Sequence, residues 1–502
     1  MAAHPADLDL LQAATALRSG ELSAAELTAA CLQRIADRDG RFGAFIRVYE
    51  DEAVRAARQA DQARAAGAAG PLTGLPIALK DVIGVAGRPL TADSAVLEGN
   101  VAGEDATVWA RLRAEGMVLL GHLHCGEFAN GIWGANPWGP AFSPGGSSSG
   151  SGIALAARMV PAALGTDTRG SIRMPAAFTG VSAVKPTFGL VSTAGVIPFS
   201  YTMDAVGPMA RSAADCAALL AAMAGPDPAD RATLAQPAGQ PPGGRYPTQP
   251  TPAARPLAGT RIGIPRFGDP PSPGVAEVSG RFAAELASLG AELVAFDWPP
   301  SPLERGGRNT GDWMHILGAE AQVIHEQFAD RAHLYRDEFR MLMAPLQPGR
   351  ARDYVRAQLA RAELARTWTR LLTTRRLDAV AHPACNDELF RTDAEVTYAA
   401  LPRLMLGVWN DTGFPVVSVP AGLSPADGSP VGMQLAGLPY TEAALLQIAV
   451  DYQAATPYHR ACPPDLDDGP RYRPPPRPAA GPQPPYRPGP GMLEAIIPAG
   501  PG

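Results

Sequence analysis

Residues 143–152 read Ser143-Pro144-Gly145-Gly146-Ser147-Ser148-Ser149-Gly150-Ser151-Gly152, and they run directly into the helix-forming residues 153–158. A glycine-rich turn that feeds the beginning of a helix brings backbone N–H groups and hydroxyls together in a small space. In isolation, such a stretch is also compatible with a flexible linker. A phosphate-binding turn is a further interpretation, although the lysine that ends a P-loop is missing.

Two further segments place reactive side chains beside turns. The first reads Gly74-Leu75-Pro76-Ile77-Ala78-Leu79-Lys80-Asp81 and ends an apolar strand with a lysine. The second reads Gly165-Thr166-Asp167-Thr168-Arg169-Gly170-Ser171-Ile172-Arg173-Met174-Pro175-Ala176 and puts a serine next to a glycine. Each has an ordinary explanation, because lysine often ends a solvated strand and serine often caps a helix.

Taken together, the three segments resemble the amidase signature family of serine hydrolases. The resemblance implies a Ser–cis-Ser–Lys triad, in which Lys80 is the base, Ser147 the bridging cis-serine and Ser171 the nucleophile. Ser171 lies 24 residues after Ser147, which is the spacing of the family. Flanking stretches such as residues 183–187 and 413–420 agree as well. The likeness covers roughly residues 8–460, which argues against the linker interpretation of the Gly/Ser stretch.

The resemblance also implies an oxyanion hole built from consecutive backbone N–H groups. These groups, here called the oxyanion segment, belong to Thr168, Arg169, Gly170 and Ser171. The chain departs from the family at Arg169, where glycine is usual, and at Ser149 in the first loop. A backbone N–H survives either change, provided that the turn does not require a positive φ at Arg169. The Arg169 side chain is expected to shape the pocket or to pair with a carboxylate, while Asp167 and Arg173 are expected to hold the segment in place.

The chemistry of amide cleavage explains these residue types without the family. A serine alkoxide generated locally splits the reaction into acylation and deacylation. Lysine can act as the base only when neutral, so its pKa must fall by about 3 from ~10.4 through burial in an apolar setting. Residues 77–79 supply that setting, and a Lys–Ser–Ser chain can pass a proton because each hydroxyl both donates and accepts.

Other candidate sites give weaker signals. Phe128 matches a family position that lines the substrate site, although it is equally compatible with plain core. Two histidines on one face of a strand, His122 and His124, lack a third ligand at a telling spacing. His325-Glu326 does not continue into a zinc-binding motif. The sequence therefore predicts no metal and no cofactor.

Composition excludes several classes of partner. The formal net charge is −6, so no electrostatic signal favours nucleic acid or an anionic membrane surface. The N-terminus lacks the features of a signal peptide, and no apolar run is long enough to cross a bilayer. The five cysteines are scattered without a Cys-x-x-Cys pair, which fits a reducing compartment. We expect a cytoplasmic protein that acts on a small-molecule amide, carbamate or ester, with a homodimer left open.

Hydrophobic periodicity predicts an α/β fold with a single large mixed β-sheet surrounded by helices. Three helices are expected before a first strand at residues 76–79. The predicted divisions are an N-terminal helical segment (1–70), a core carrying the triad (71–225), a Pro/Gly-rich loop (226–258), the rest of the α/β core with a helical cover at about 300–376 (259–462), and a Pro-rich disordered tail (463–502).

The function expected from these observations is cleavage of a C–N bond through an acyl-enzyme on Ser171. One alternative is the glutaminase subunit, of the A type, of a tRNA-dependent amidotransferase, which works inside a complex. Against it, residues 172–175 read Ile-Arg-Met-Pro, and residues 185–190 lack the Tyr and Arg usual in that subunit. A second alternative is a non-catalytic binding protein on the same fold, which would be favoured if one of the three triad residues were missing.

Overall fold

A computed structural model describes residues 4–237, 245–304, 311–344, 350–390, 403–464, 466–474 and 478. Within these residues the chain forms one mixed sheet of 11 strands, in the order β1-β3-β2-β4-β6-β5-β10-β11-β9-β7-β8. The strands are β1 (Phe45–Val48), β2 (Pro76–Lys80), β3 (Val118–Leu123), β4 (Ala162–Asp167), β5 (Ser182–Lys185), β6 (Ala205–Ala210), β7 (Arg261–Arg266), β8 (Glu292–Asp297), β9 (Ala379–Pro383), β10 (Val416–Leu423) and β11 (Pro430–Ala436). The sheet confirms the predicted fold class.

Helices pack around this sheet. They are α1 (Leu10–Ser19), α2 (Ala24–Phe42), α3 (Glu50–Ala65), α4 (Thr107–Ala114), α5 (Ser149–Ala156), α6 (Arg173–Thr179), α7 (Ala213–Met223), α8 (Pro273–Ser288), α9 (Trp313–His325), α10 (Asp337–Met343), α11 (Ala351–Arg375), α12 (Gly407–Asp411) and α13 (Glu442–Ala455). In the described part of the chain, no helix combines the length and apolar character needed to cross a membrane.

The N-terminal region shows how local signals set the elements. Ser23 accepts a hydrogen bond from the N–H of Glu26, and the Glu26 carboxylate accepts one from the N–H of Ser23, so this capping box begins α2. The prediction that the first strand lies at residues 76–79 is wrong, because β1 forms between α2 and α3. This strand has only four residues and pairs with β3 along one edge, which leaves little periodicity to read.

The middle of the sheet brings the sequence segments together. β2 lies between β3 and β4 and runs parallel to both, with Ala78 opposite Ala163 and Leu79 opposite Leu164. Carboxyl ends of parallel strands meet at one edge of a sheet, so Lys80 ends beside the turn that follows β4. The Gly/Ser stretch crosses the same edge and continues into α5. The fold therefore collects all three segments at one place.

Two central strands escaped the sequence analysis. β5 is short and ends in the charged Lys185, while β6 contains Gly207 and Pro208, two residues that normally argue against a strand. Both strands are fully buried, and β6 pairs antiparallel with β4 along six residues. Tertiary pairing outweighs local propensity here.

The C-terminal boundary requires a correction. The sequence predicts that residues 463–474 belong to the disordered tail, yet the structure describes all of them except 465, and several of them contact the body of the protein. Asp467 accepts a hydrogen bond from Arg38 Nε at 2.7 Å, and Leu466 is buried. The Tyr472 N–H donates to the Gly40 carbonyl at 3.2 Å, and its ring lies 6.1 Å from that of Trp133. The rest of the predicted tail, apart from Pro478, lies outside the described residues.

Ending the chain at residue 465 is expected to lower the melting temperature by about 2 °C or more, because the Leu466, Asp467 and Tyr472 contacts are lost. A chain ending at residue 478 keeps these contacts and is the matched control. Differential scanning calorimetry of both variants provides the measurement. Equal melting temperatures would show that residues 466–478 contribute nothing to stability.

Candidate active site

Lys80 is the last residue of β2, and its side chain has no exposed surface. Its Nζ donates to Ser147 Oγ at 2.7 Å and to Thr166 Oγ1 at 2.8 Å. Burial lowers the pKa of Lys80 from its ordinary value to about 8, although Asp204 and Asp167 oppose the shift. The lysine therefore reaches its neutral, proton-accepting form at mildly alkaline pH.

Ser147 lies in a tightly confined backbone. The Gly146–Ser147 peptide bond is cis, as the family resemblance implies for this position. A Cβ at Gly146 would lie 2.1 Å from the carbonyl oxygen of Gly131, so only glycine fits there. The neighbouring Ser149, which replaces a family glycine, donates its hydroxyl to the Gly145 carbonyl at 2.7 Å. The serine at this position therefore adds a side-chain hydrogen bond within the turn.

Ser171 lies between β4 and α6 and is partly exposed. Its carbonyl oxygen accepts a hydrogen bond from the N–H of Ser148 at 3.0 Å, which joins the nucleophile turn directly to the Gly/Ser turn. Gly170 has φ +119°, and a Cβ there would collide with Leu406. The hydrogen bond from Ser148 and the packing of Leu406 on Gly170 thus hold the backbone around Ser171 in place.

A buried ion pair stabilises the turn that carries Ser171. Asp167 and Arg173 have no exposed side-chain surface and form two hydrogen bonds, at 2.9 and 3.1 Å. Arg173 also donates to Asn410 Oδ1, to Gln434 Oε1 and to the Leu406 carbonyl. Burial alone would raise the pKa of Asp167, but the Arg173 charge and hydrogen bonds hold it well below its usual range. These contacts agree with the expectation that Asp167 and Arg173 hold the segment that carries Ser171 in place.

The oxyanion segment is only partly available for a substrate oxygen. The Gly170 N–H donates to Asp167 Oδ1 at 2.6 Å and is therefore already used. Within the described residues, the N–H groups of Thr168, Arg169 and Ser171 make no hydrogen bond. These three N–H groups are available to a reacting carbonyl, whereas that of Gly170 is held by Asp167, and the oxyanion role of the segment stays a prediction.

Arg169 does not require a positive φ, so the departure from glycine leaves the turn intact. Its guanidinium pairs with Asp411 and stacks 4.0 Å from the centre of the Trp313 ring on α9. The pairing with a carboxylate is therefore present, and the stack on Trp313 attaches Arg169 to the helical cover, whereas its expected role in shaping the pocket stays a prediction.

The structure places Phe128 away from the solvent-accessible part of the site. Its side chain is 1% exposed and packs among aromatic rings of the helical cover. The rings within contact are those of His325, Phe328, Tyr335 and Phe339. In this conformation Phe128 attaches the cover to the core, and its assignment to substrate binding stays a prediction.

The histidines that the sequence singled out have ordinary contacts. His122 is buried and shares hydrogen bonds with Tyr49 and the Ile83 carbonyl, while His124 pairs with Asp93 at 2.8 Å. Among the described residues, no group of three or more His, Cys, Asp or Glu side chains could hold a metal ion.

Four polar residues near the site were missed by sequence reasoning: Asp204, Glu320, Arg361 and Asp411. Asp204 contacts Thr168 Oγ1 at 2.5 Å, and Arg361 donates to the Asp411 carbonyl at 2.7 Å. None of them lies in a recognisable motif except Asp204, which belongs to the family-like stretch Met203-Asp204-Ala205-Val206-Gly207-Pro208. This stretch is the sequence signal from which Asp204 could have been found.

Comparison with known proteins agrees with this arrangement. Residues 26–446 match the protein family described as Amidase. The chain is 38% identical over 499 residues to the A-type subunit of the glutamyl-tRNA(Gln) amidotransferase of Ralstonia pickettii, covering 89% of this chain and 97% of that one. The corresponding subunit of Thioalkalivibrio sulfidiphilus is 36% identical over 493 residues, covering 90% and 98%.

Solved structures give the same result. The peptide amidase of Stenotrophomonas maltophilia has a TM-score of 0.76 and 32% identity, covering 92% of this chain and 99% of that one. The A-type subunit of the glutamyl-tRNA(Gln) amidotransferase of Thermotoga maritima has a TM-score of 0.70 and 26% identity, covering 88% and 94%. The fold and the site thus define an enzyme that acts on C–N bonds. The chain belongs to the Amidase family.

Replacing Arg173 by Met is expected to destabilise the protein by about 3–5 kcal/mol, because the buried Asp167 carboxylate loses its compensating charge. Arg266→Met, which breaks the exposed Arg266–Asp297 pair, is the control and should leave stability within error. Urea unfolding followed by circular dichroism measures both. Similar midpoints for the two variants would contradict the importance assigned to the buried pair.

Proposed function

We propose that the protein hydrolyses a small amide through an acyl-enzyme on Ser171, with Lys80 as the base and Ser147 as the proton relay. The observation that carries this proposal is the 2.7 Å hydrogen bond between Lys80 Nζ and Ser147 Oγ in an environment that excludes water from the lysine. Among the described residues no carboxylate contacts Lys80 Nζ, and burial lowers its pKa to about 8, so the neutral amine, which is a base, forms at mildly alkaline pH.

In acylation, the Ser171 hydroxyl gives its proton to Ser147 Oγ while the Ser147 proton moves to neutral Lys80 Nζ. The Ser171 oxygen bonds to the carbonyl carbon, and the carbonyl oxygen becomes an oxyanion. Lys80 then returns the proton through Ser147 to the leaving nitrogen as the C–N bond breaks. The products of this half are a free amine and an ester on Ser171.

In deacylation, water attacks the ester and passes a proton along the same chain to Lys80. The acid leaves, and Ser171 recovers its proton through Ser147. The developing negative charge in both halves falls near the free N–H groups of the oxyanion segment. Donors that are fixed before reaction are worth about 3 kcal/mol each in the barrier.

The surroundings of Ser171 favour an uncharged, apolar substrate. Leu406 packs directly on Gly170 and belongs to an apolar cluster on this side of the site. The cations of this region already have partners, since Arg173 pairs with Asp167 and Arg169 with Asp411. Carbamates and esters share the acyl-transfer chemistry and stay expectations for a substrate panel.

The second candidate is a glutaminase subunit of an amidotransferase complex. Its support is the 36–38% identity to relatives named as the A-type subunit of glutamyl-tRNA(Gln) amidotransferase, which extends over nearly the whole of those chains. The same acyl transfer on Ser171 would then release ammonia from glutamine. An opposing observation is the higher TM-score to the peptide amidase, 0.76 against 0.70.

Incubating the purified chain with a fluorophosphonate is expected to add one phosphonyl group at Ser171, found by peptide mass mapping. Ser171→Ala should abolish both the label and amide turnover, because the attacking oxygen is gone. Ser151→Ala, which removes a buried hydroxyl bonded to the Leu164 carbonyl, is the control. Label elsewhere, or an active Ser171→Ala variant, would overturn the assignment.

The same preparation separates the two candidates. A stand-alone amidase should cleave aryl and alkyl amides without a partner and should show no preference for glutamine. Glutamine as the sole substrate, with turnover that appears only after adding the partner subunits of an amidotransferase, would favour the glutaminase function.

The rate of amide turnover is expected to rise with pH and to level off above about 8, the pKa to which burial lowers Lys80. The sign follows from the mechanism, because only the lysine that has lost its proton can accept one from Ser147. Lys80→Ala should cost more for an amide than for an ester with the same acyl group, since an amine must be protonated to leave. Lys80→Arg should not restore activity, because guanidinium cannot be deprotonated. A flat pH profile would contradict the role of Lys80.

A further inference from the structure

The side chains of Thr168 and Arg169 in the oxyanion segment make polar contacts that the proposed reaction does not use. Thr168 Oγ1 donates to Asp204 Oδ1 at 2.5 Å. The other oxygen of Asp204 accepts from the N–H groups of Phe199 at 2.7 Å and Ser200 at 3.0 Å. Desolvation raises the pKa of Asp204 to about 6, although these three donors lower it. Asp204 thus ties Thr168 to a separate loop, residues 199–204.

The next residue of the segment is held in the same way by a different element. The Arg169 guanidinium pairs with Asp411, the last residue of α12, whose side chain is 4% exposed. Gly407, the first residue of α12, lies so close to the Arg169 guanidinium that a Cβ there would collide with it. Consecutive residues of the oxyanion segment are therefore anchored to two elements that are far apart in sequence.

Two side chains of the helical cover contact these anchors: Glu320 binds the loop of residues 199–204, and Arg361 joins that loop to Asp411. Glu320 on α9 accepts from Ser200 Oγ at 2.5 Å and from Thr202 Oγ1 at 2.8 Å. Arg361 on α11 donates to the Thr202 carbonyl at 2.6 Å and to the Asp411 carbonyl at 2.7 Å. The contacts close a ring that begins at Thr168, passes through the cover and returns at Arg169.

We infer that Asp204 and Asp411 are positioning residues, which fix the direction of the Thr168 and Arg169 N–H groups toward the reacting carbonyl; this inference rests on the acyl transfer proposed above. The side chains of Thr168 and Arg169 are anchored to Asp204 and Asp411, while their N–H groups make no hydrogen bond among the described residues and so are available to a ligand. Catalytic donors must be held close to their working geometry, and a displacement of 1 Å costs about 100-fold in rate. The ring supplies that rigidity without touching the substrate.

The test compares Thr168→Val, which removes the hydroxyl at nearly constant shape, with Thr168→Ser, which keeps it. The readouts are the second-order rate of fluorophosphonate labelling at Ser171 and the affinity for phenylboronic acid, which forms a tetrahedral adduct. Thr168→Val should lower both about tenfold or more, and Thr168→Ser should restore both to within about threefold. With a chromogenic amide, kcat should fall while KM stays within about twofold, because the donors act mainly on the transition state.

A double-mutant cycle assigns the effect to the Thr168–Asp204 contact. Asp204→Asn should lower labelling on its own, and it should cost little more when added to Thr168→Val. Additive losses would overturn the inference, because Asp204 would then act by another route, such as its charge near Lys80. Asp215→Asn is the matched control, since Asp215 is also buried with a pKa raised to about 6, but it links α7 to the Leu11 N–H far from the site.

These experiments distinguish failure of the positioning role from failure of acyl transfer on Ser171. Label outside Ser171 in the wild-type protein would overturn the acyl-transfer proposal itself. Correct label at Ser171 with an unchanged rate in Thr168→Val would overturn only the positioning role. A loss in Thr168→Val no greater than that in Asp215→Asn would do the same, because it would reflect general destabilisation.

Discussion

The buried pair between Asp167 and Arg173 is the constraint on which the rest of the site depends. Asp167 ends a central strand, and Arg173 begins the helix that follows the nucleophile, so the pair fixes both ends of the turn that carries Ser171. Three further hydrogen bonds of Arg173 reach Asn410 on α12, Gln434 on β11 and the carbonyl of Leu406 just before α12, so one guanidinium holds β4, α12 and β11 together. Without that pairing, the turn that carries Ser171 would end at a buried, uncompensated cation.

The same pairing sets the electrostatic conditions for the base. Because Asp167 neutralises Arg173, this buried guanidinium does not have to be paired by the substrate. Burial then acts on the lysines: it lowers the pKa of Lys80 to about 8, and that of Lys185 on β5 to about 7. The two lysines differ in their partners, since Lys80 Nζ contacts the Ser147 hydroxyl whereas Lys185 Nζ contacts the Pro186 carbonyl. Of these two lysines, Lys80 is the one whose partner can relay a proton in the proposed mechanism.

Much of this arrangement could be predicted from the sequence, because its parts are local. Lys80, Ser147 and Ser171 each lie in a short segment that resembles one of the amidase signature family, although each segment alone also fits an ordinary strand end, linker or helix cap. The anchors of the oxyanion segment could not be predicted. Asp411 lies 242 residues from Arg169, and its contact depends on how α12 packs rather than on any local pattern. The order of residues 466–474 was missed for the same reason, since a Pro- and Gly-rich composition hides the few side chains that dock.

We propose above all that Ser171 is the nucleophile and that Ser147 relays its proton to Lys80. A crystal structure of the protein with phenylboronic acid tests it most directly. The account predicts boron bonded to Ser171 Oγ, one boronate oxygen within hydrogen-bond distance of the Thr168, Arg169 or Ser171 N–H groups, and Ser147 Oγ between Lys80 Nζ and Ser171 Oγ. Boron bonded to another residue, or a boronate oxygen directed away from those N–H groups, would contradict it.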